Sequence, residues 1–196
     1  MVQDSTTYYV WIGGSCDYGH KEPTHEARAE SQARLGYALQ GGGRRSQRAG
    51  GAAVVIELME QREQSQRELT SAESRQKKTN SQHDGSIISR DVISDLHTTE
   101  FRMMLTLMVK VMNELPDGSD ILFLTNAAYI QNFDKTPTAK SANPDLISQC
   151  IEAKTRHSSV SVKIVPYHKS PLLIETHDMA TEAMAKTRKE YHHDIQ

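Results

Sequence analysis

The stretch YYVWIGGSCD, residues 8–17, decides how the chain is read. TYYVWI, residues 7–12, is a run of large β-branched and aromatic residues and predicts a buried strand. Two glycines follow. A glycine pair at a strand end lets the backbone turn sharply or come close to another element. Nothing in WIGGSC can act as an acid, a base or a metal ligand except the thiol of Cys16. The segment therefore predicts a strand, then a turn, and almost no chemistry.

Outward from this strand the pattern alternates. Residues 24–40 predict a helix with Thr24 as N-cap after Pro23. GGGRRSQRAGG, residues 41–51, reads as a flexible loop carrying Arg44, Arg45 and Arg48 with no acid. AAVVIEL, residues 52–58, predicts a second strand. Residues 59–84 are almost devoid of apolar side chains and cannot bury themselves, so they read as a flexible polar arm. GSIISRDVISD, residues 85–95, predicts a third strand, and TTEFRMMLTLMVKVMNEL, residues 98–115, a helix with apolar residues on nearly every side. ILFLTN, residues 121–126, is apolar on both faces and fits an interior strand. Short helices are expected at 127–133 and at 143–154, with Asn143 or Pro144 at the start of the second. A fifth strand is expected at 160–168 and a polar helix at 176–193. The order predicts one α/β domain over 1–196: a five-stranded mixed sheet, helices on both faces, and two polar insertions, 17–51 and 59–84.

Composition narrows the function classes. Of 196 residues 37% are hydrophobic, and the mean hydropathy is -0.61, so parts of the chain must be solvated. A net charge of -2 gives no global basic field, and any anion-binding surface must be local. Cys16 and Cys150 lie far apart and form no metal spacing; free thiols in a reducing compartment are expected. No apolar run reaches membrane-spanning length, and a cytoplasmic protein is expected.

The element order resembles that of the ribonuclease H family, and six segments carry the resemblance. WIGGSC resembles a first-strand signature of two apolar residues, Asp, Gly, Ser and Cys. TTEFRMML resembles a central helix opening Thr-Thr-Asn-Asn-Arg-Met-Glu-Leu. TNAAYI resembles a strand end reading Asp-Ser-Gln-Tyr-Val after Ser or Thr. NPDLISQCIEA, VSVKIVPYHKS and HDMATEAMAK resemble the Asp-Leu-Trp helix, the strand before a His-bearing loop, and a C-terminal helix beginning with Asp. Active members use four carboxylates to hold two divalent metals that activate water. At the matching positions stand Gly13, Met104, Asn126 and Asp178, so only Asp178 keeps a carboxylate. His168 matches the mobile loop histidine, Thr99 a threonine that helps bind phosphate, and Ser15 is retained. Glu100, Phe101 and Ala128 replace residues that contact a hybrid duplex in the family.

No catalytic residue, metal or other cofactor is expected on these grounds. The expected function is nucleic-acid binding, RNA first, with DNA or an RNA–DNA hybrid as alternatives. Candidate contacts are Arg44, Arg45, Arg48, Ser15, Thr99, Lys77 and Lys78. The arginine segment reads equally as an ordinary solvated loop. A protein–protein or self-association module of a viral or mobile-element assembly is the alternative function, and a nuclease with relocated ligands a third. Glu100 reads as a solvated acid near a helix N-terminus, too far along the helix from Met104 to join a site. Asp178 reads either as a leftover ligand or as an N-terminal helix charge capped by Thr176. Met103, Met104, Met108 and Met112 read as core filler, with Met104 in the space of the metals.

Overall fold

The computed structural model describes residues 6–17, 49–59, 85–138 and 141–193, with the side chains of 191–193 excepted. The helix expected at 24–40, Arg44, Arg45, Arg48, and the arm with Lys77 and Lys78 lie outside the described residues.

Five strands form one sheet in the order β3-β2-β1-β4-β5. β1 (Thr7–Asp17) pairs antiparallel with β2 (Ala49–Met59) over its whole length, from Thr7↔Met59 to Asp17↔Ala49. β2 pairs antiparallel with β3 (Gly85–Leu96), with a register shift at Ile56/Glu57. β4 (Asp120–Thr125) lies parallel to β1, and β5 (Ser159–Ile164) parallel to β4. The meander followed by parallel crossovers is the mixed sheet expected from the sequence.

Side-chain alternation along β1 sorts the core into two layers. Tyr8, Val10 and Ile12 face the helices α1 (Glu100–Glu114) and α2 (Pro144–Lys154), together with Val54 and Ile56 of β2. Trp11 faces the other way, with Val55, Leu124 and Leu173 of α3 (Pro171–His193). Within this second layer Glu57 is only 2% exposed and accepts a hydrogen bond from Trp11 Nε1, 2.5 Å away. The α1 helix starts where Thr99 Oγ1 accepts the Arg102 amide at 3.2 Å, an N-cap bond. It buries Met103, Met104, Leu105, Leu107, Met108, Val111 and Met112, each worth about 1.5–3 kcal/mol when removed from water.

Several boundaries differ from expectation. The turn expected at Gly13–Gly14 does not occur there: β1 runs on to Asp17. Likewise β2 starts at Ala49, so Ala49, Gly50 and Gly51 are buried strand rather than loop. The helix expected at 127–133 is a 3₁₀ turn, Ala128–Asn132. β5 stops at Ile164, because Pro166 cannot donate to a ladder, and a 3₁₀ turn Tyr167–Lys169 follows. The last helix begins at Pro171 rather than Thr176. Proline suits the first helical position, and the Ser170 carbonyl accepts the amides of Leu173 and Ile174 at 3.0 Å. Asn143 does stand at the start of α2, with φ 54°, but its amide makes no capping bond; its Oδ1 accepts from Arg102 instead.

Candidate functional site

The carboxyl ends of β1 and β4 define the place to look, since crevices outside strand C-termini are the usual ligand sites of α/β sheets. β4 pairs with β1 only as far as Trp11↔Leu124 and ends at Thr125, while β1 continues for six more residues. Gly13 and Gly14 lie just past that last pair. Their α-hydrogens point to opposite faces of the sheet, and each face has a helix pressed against it.

On the α1 face, a Cβ added to Gly14 would stand 2.8 Å from Met104 Sδ and 3.3 Å from Glu100 Cβ. Met104 is 2% exposed, and Tyr129 Oη donates to its sulfur at 2.9 Å. The Tyr129 ring lies against Phe101, with centroids 3.6 Å apart and planes at 45°. Glu100 and Met104, one turn apart, share the face that meets Gly14. Glu100 is thus neither solvated nor turned away, as its sequence position suggests; it is half-buried, and that burial raises its carboxyl pKa above the ordinary value.

On the α3 face, a Cβ on Gly13 would stand 2.5 Å from Thr176 Oγ1 and 3.0 Å from the His177 ring and backbone. Thr176 is fully buried and donates to the Leu173 carbonyl at 2.8 Å. It is therefore a mid-helix residue packed on the sheet, not a cap. His177 Nε2 and Asn126 Oδ1 are in hydrogen-bond contact at 3.0 Å, which ties α3 to the end of β4. Burial lowers the His177 pKa, opposed by a hydrogen bond with the Gly14 backbone and by the nearby Asp178 carboxylate. The Tyr167 ring meets His177 edge-on at 5.0 Å and His168 at 5.3 Å, so His168 stands one ring removed from the notch. Asp178 is exposed and lies eight residues into α3, which rules out the helix N-terminal charge. Ser15 Oγ accepts from Thr181 at 3.0 Å, and Thr99 Oγ1 serves its N-cap, so both hydroxyls have intramolecular partners.

Met104 lies against Gly14 on one face of β1, while Asn126 is bonded to His177, which lies against Gly13 on the other. Hard divalent cations need several oxygen ligands. The notch offers a backbone hydrogen, a thioether, a neutral amide bonded to the His177 ring, the half-buried Glu100 carboxyl on the α1 face and the exposed Asp178 on α3. Thr176 occupies the volume that a side chain at 13 would need, and Tyr129 is bonded to the Met104 sulfur. Among the described residues, no three His, Cys, Asp or Glu side chains gather where they could share an ion. Among the described residues of the notch, the two carboxyls lie against opposite faces of β1.

Sequence reasoning missed Thr176, His177 and Tyr129 as parts of this notch. A signal for the first two existed in Ser170-Pro171, which marks the true helix start and moves Thr176 and His177 onto the sheet-facing turns. Nothing in the sequence pairs Tyr129 with Met104; that contact is purely tertiary. Cys16 Sγ donates to the Thr98 carbonyl at 3.9 Å, and burial pushes the Cys150 thiol up to about 12. No described helix is long and apolar enough to cross a membrane.

No protein-family model and no curated protein matches the chain. Solved structures do. LC9-RNase H1, a type 1 RNase H with the type 2 active-site motif, is similar over 93% of this chain and 74% of its own, at 16% identity and a TM-score of 0.59. RNase H1 of the halophilic archaeon Halobacterium salinarum is similar over 92% of this chain and 98% of its own, at 13% identity and a TM-score of 0.50. The foamy viral protease-reverse transcriptase, solved in complex with double-stranded DNA, is similar over 92% of this chain and 94% of its own, at 10% identity and a TM-score of 0.51. The chain has a ribonuclease H-like fold.

Proposed function

We propose that this ribonuclease H-like fold works as a nucleic-acid-binding protein without nuclease activity, with RNA as its ligand. The observation that carries the proposal is the notch at Gly13–Gly14. Where the resemblance implies carboxylates for two metals, this chain packs Thr176 over Gly13, seats Met104 under Tyr129, and places Asn126 against His177. Asp178 and the half-buried Glu100 are the carboxyls left at the described notch, against opposite faces of β1, and two separated carboxyls compete poorly with water for a pair of hard cations. The binding half of the proposal is supported by the fold neighbours, which are RNases H and a reverse transcriptase solved with duplex DNA. In this reading the arginine segment 41–51 and the polar arm 59–84 reach the ligand, and the protein acts in the cytoplasm.

Two measurements test it. A labelled RNA–DNA hybrid incubated with the protein and magnesium or manganese should stay intact. Cleavage that Asp178→Ala abolishes would overturn the inactive reading and mean that ligands have moved. Binding of single-stranded RNA, duplex RNA, single-stranded DNA and hybrid, each at two salt concentrations, should show RNA retained most strongly and weakened by salt. Failure to bind any of the four at low salt would overturn the binding reading in favour of a protein-binding role.

A further inference from the structure

We propose that the cavity between the first turn of α1, the 3₁₀ turn after β4 and the start of α2 holds one unpaired nucleobase. The inference rests on the proposed function and adds to it the mode of ligand recognition. The cavity measures about 340 Å³, within the range of small-molecule sites, and is separate from the notch although Tyr129 borders both. Phe101, Tyr129 and Phe133 supply aromatic surface, and Asn132, Ser141 and Asn143 supply polar groups.

Three features of the lining select the ligand class. First, no charged side chain is among the described residues that line it, so the described lining offers a phosphate or a carboxylate no counter-charge. Second, the lining is mostly aromatic and apolar, and aromatic faces take a planar ring by stacking whichever base it is. Third, the polar groups are neutral amides and a hydroxyl, which both donate and accept, as the edge of a base requires. Asn143 Oδ1 is held by Arg102 at 3.3 Å, and Ser141 Oγ accepts the Thr138 amide at 2.8 Å, so these groups are positioned by their own bonds. An aliphatic side chain of a partner protein would take water from these polar groups and offer nothing to their remaining donors and acceptors. A base inside a duplex presents no free face, so the geometry points to a single strand or a base turned out of a helix.

The test uses the whole protein and single-stranded RNA carrying 2-aminopurine, whose fluorescence falls when it stacks. Parent protein should bind the RNA and quench the fluorophore. Phe101→Ala should weaken binding about five- to a hundredfold and abolish the quench. Phe101→Leu keeps an apolar side chain in a half-buried site, so the fold survives, yet it should also lose the quench. If parent binds without quenching and both variants bind as tightly as parent, the cavity is overturned while the proposed function stands. If both variants still quench, stacking lies elsewhere and the cavity is again overturned. If parent does not bind RNA at all, both proposals fall.

Discussion

Gly13 shows how one missing side chain can be structural. The carboxylate implied by resemblance is absent, and the space it would fill belongs to Thr176 Oγ1. Putting Asp there should overpack a buried contact and cost about 1–3 kcal/mol, read as a fall of several degrees in thermal midpoint for a chain of this size. The exposed Asp178→Ala should stay within about 0.5 kcal/mol of parent. Thr176→Ala removes the obstructing hydroxyl, so the double variant Gly13→Asp/Thr176→Ala should be more stable than the two single losses predict, by about 0.5–3 kcal/mol in a double-mutant cycle. Strict additivity would mean that the two positions do not meet. Two titrations at the same notch have opposite signs. Burial lowers the His177 pKa below its ordinary 6.5, so the folded state binds fewer protons than the unfolded one, and stability is lost as pH falls from about 6.5 through the lowered value. Burial raises the Glu100 pKa above 4.5, so the folded state holds its proton longer, and stability falls as pH rises from 4.5 through the raised value. Glu100→Gln should therefore raise the thermal midpoint at pH 7, with a gain that fades toward pH 4.5. His177→Gln should flatten the loss below pH 6.5.

At the scale of elements, the strands and the central helix were legible because their signals are local. Runs such as AAVVIEL and ILFLTN have too many apolar residues to leave in water, and Thr99 caps α1 as its type predicts. The glycine pair was not legible: strand interruption and close approach leave the same letters, and only the helices on the two faces distinguish them. The start of α3 was misjudged because Thr176 looks like a cap, while Ser170-Pro171 pointed to the actual start. The aromatic cavity was illegible for another reason. Phe101, Tyr129 and Phe133 come from two elements, and a third element completes the lining, so spacing gives no hint that they share a wall. One cross-link holds that wall. Arg102 spans from α1 to α2 with a two-pronged bond to Asp145, at 2.7 and 3.2 Å, and a third contact to Asn143. The guanidinium beside it lowers the Asp145 pKa. Both side chains are more than two-fifths exposed, so Asp145→Ala should cost no more than about 1 kcal/mol, and most of that cost should vanish in molar salt. A loss of several kcal/mol, unaffected by salt, would mean that α2 depends on this contact for its position.

For the whole molecule, charge decides where a nucleic acid can be held. A net charge of -2 supplies no long-range attraction, so affinity has to come from local contacts with phosphate. Among the described residues, the lining of the cavity beside α1 carries no cation, and the notch beside it carries Glu100, which repels phosphate when ionised. In the proposed function the phosphate contacts then fall to another part of the chain. GGGRRSQRAGG joins three cations without an acid, and its last three residues are the start of β2, where Ser15 faces Gly51 across the ladder. The start of β2 pairs with the end of β1, at the same end of the sheet as the notch. The proposed division of labour is that Arg44, Arg45 and Arg48 neutralise phosphates while the aromatic cavity takes a base. Replacing all three by alanine should weaken RNA binding at low salt and flatten the log–log salt dependence by about two to three units, roughly one per lost cation. The 2-aminopurine quench at saturation should persist, because the cavity is untouched. A triple variant that binds RNA with the parent's affinity and salt slope would reduce the segment to a linker and move the phosphate contacts to another surface. A variant that keeps its affinity at low salt and loses only the quench would invert the assignment of the two sites.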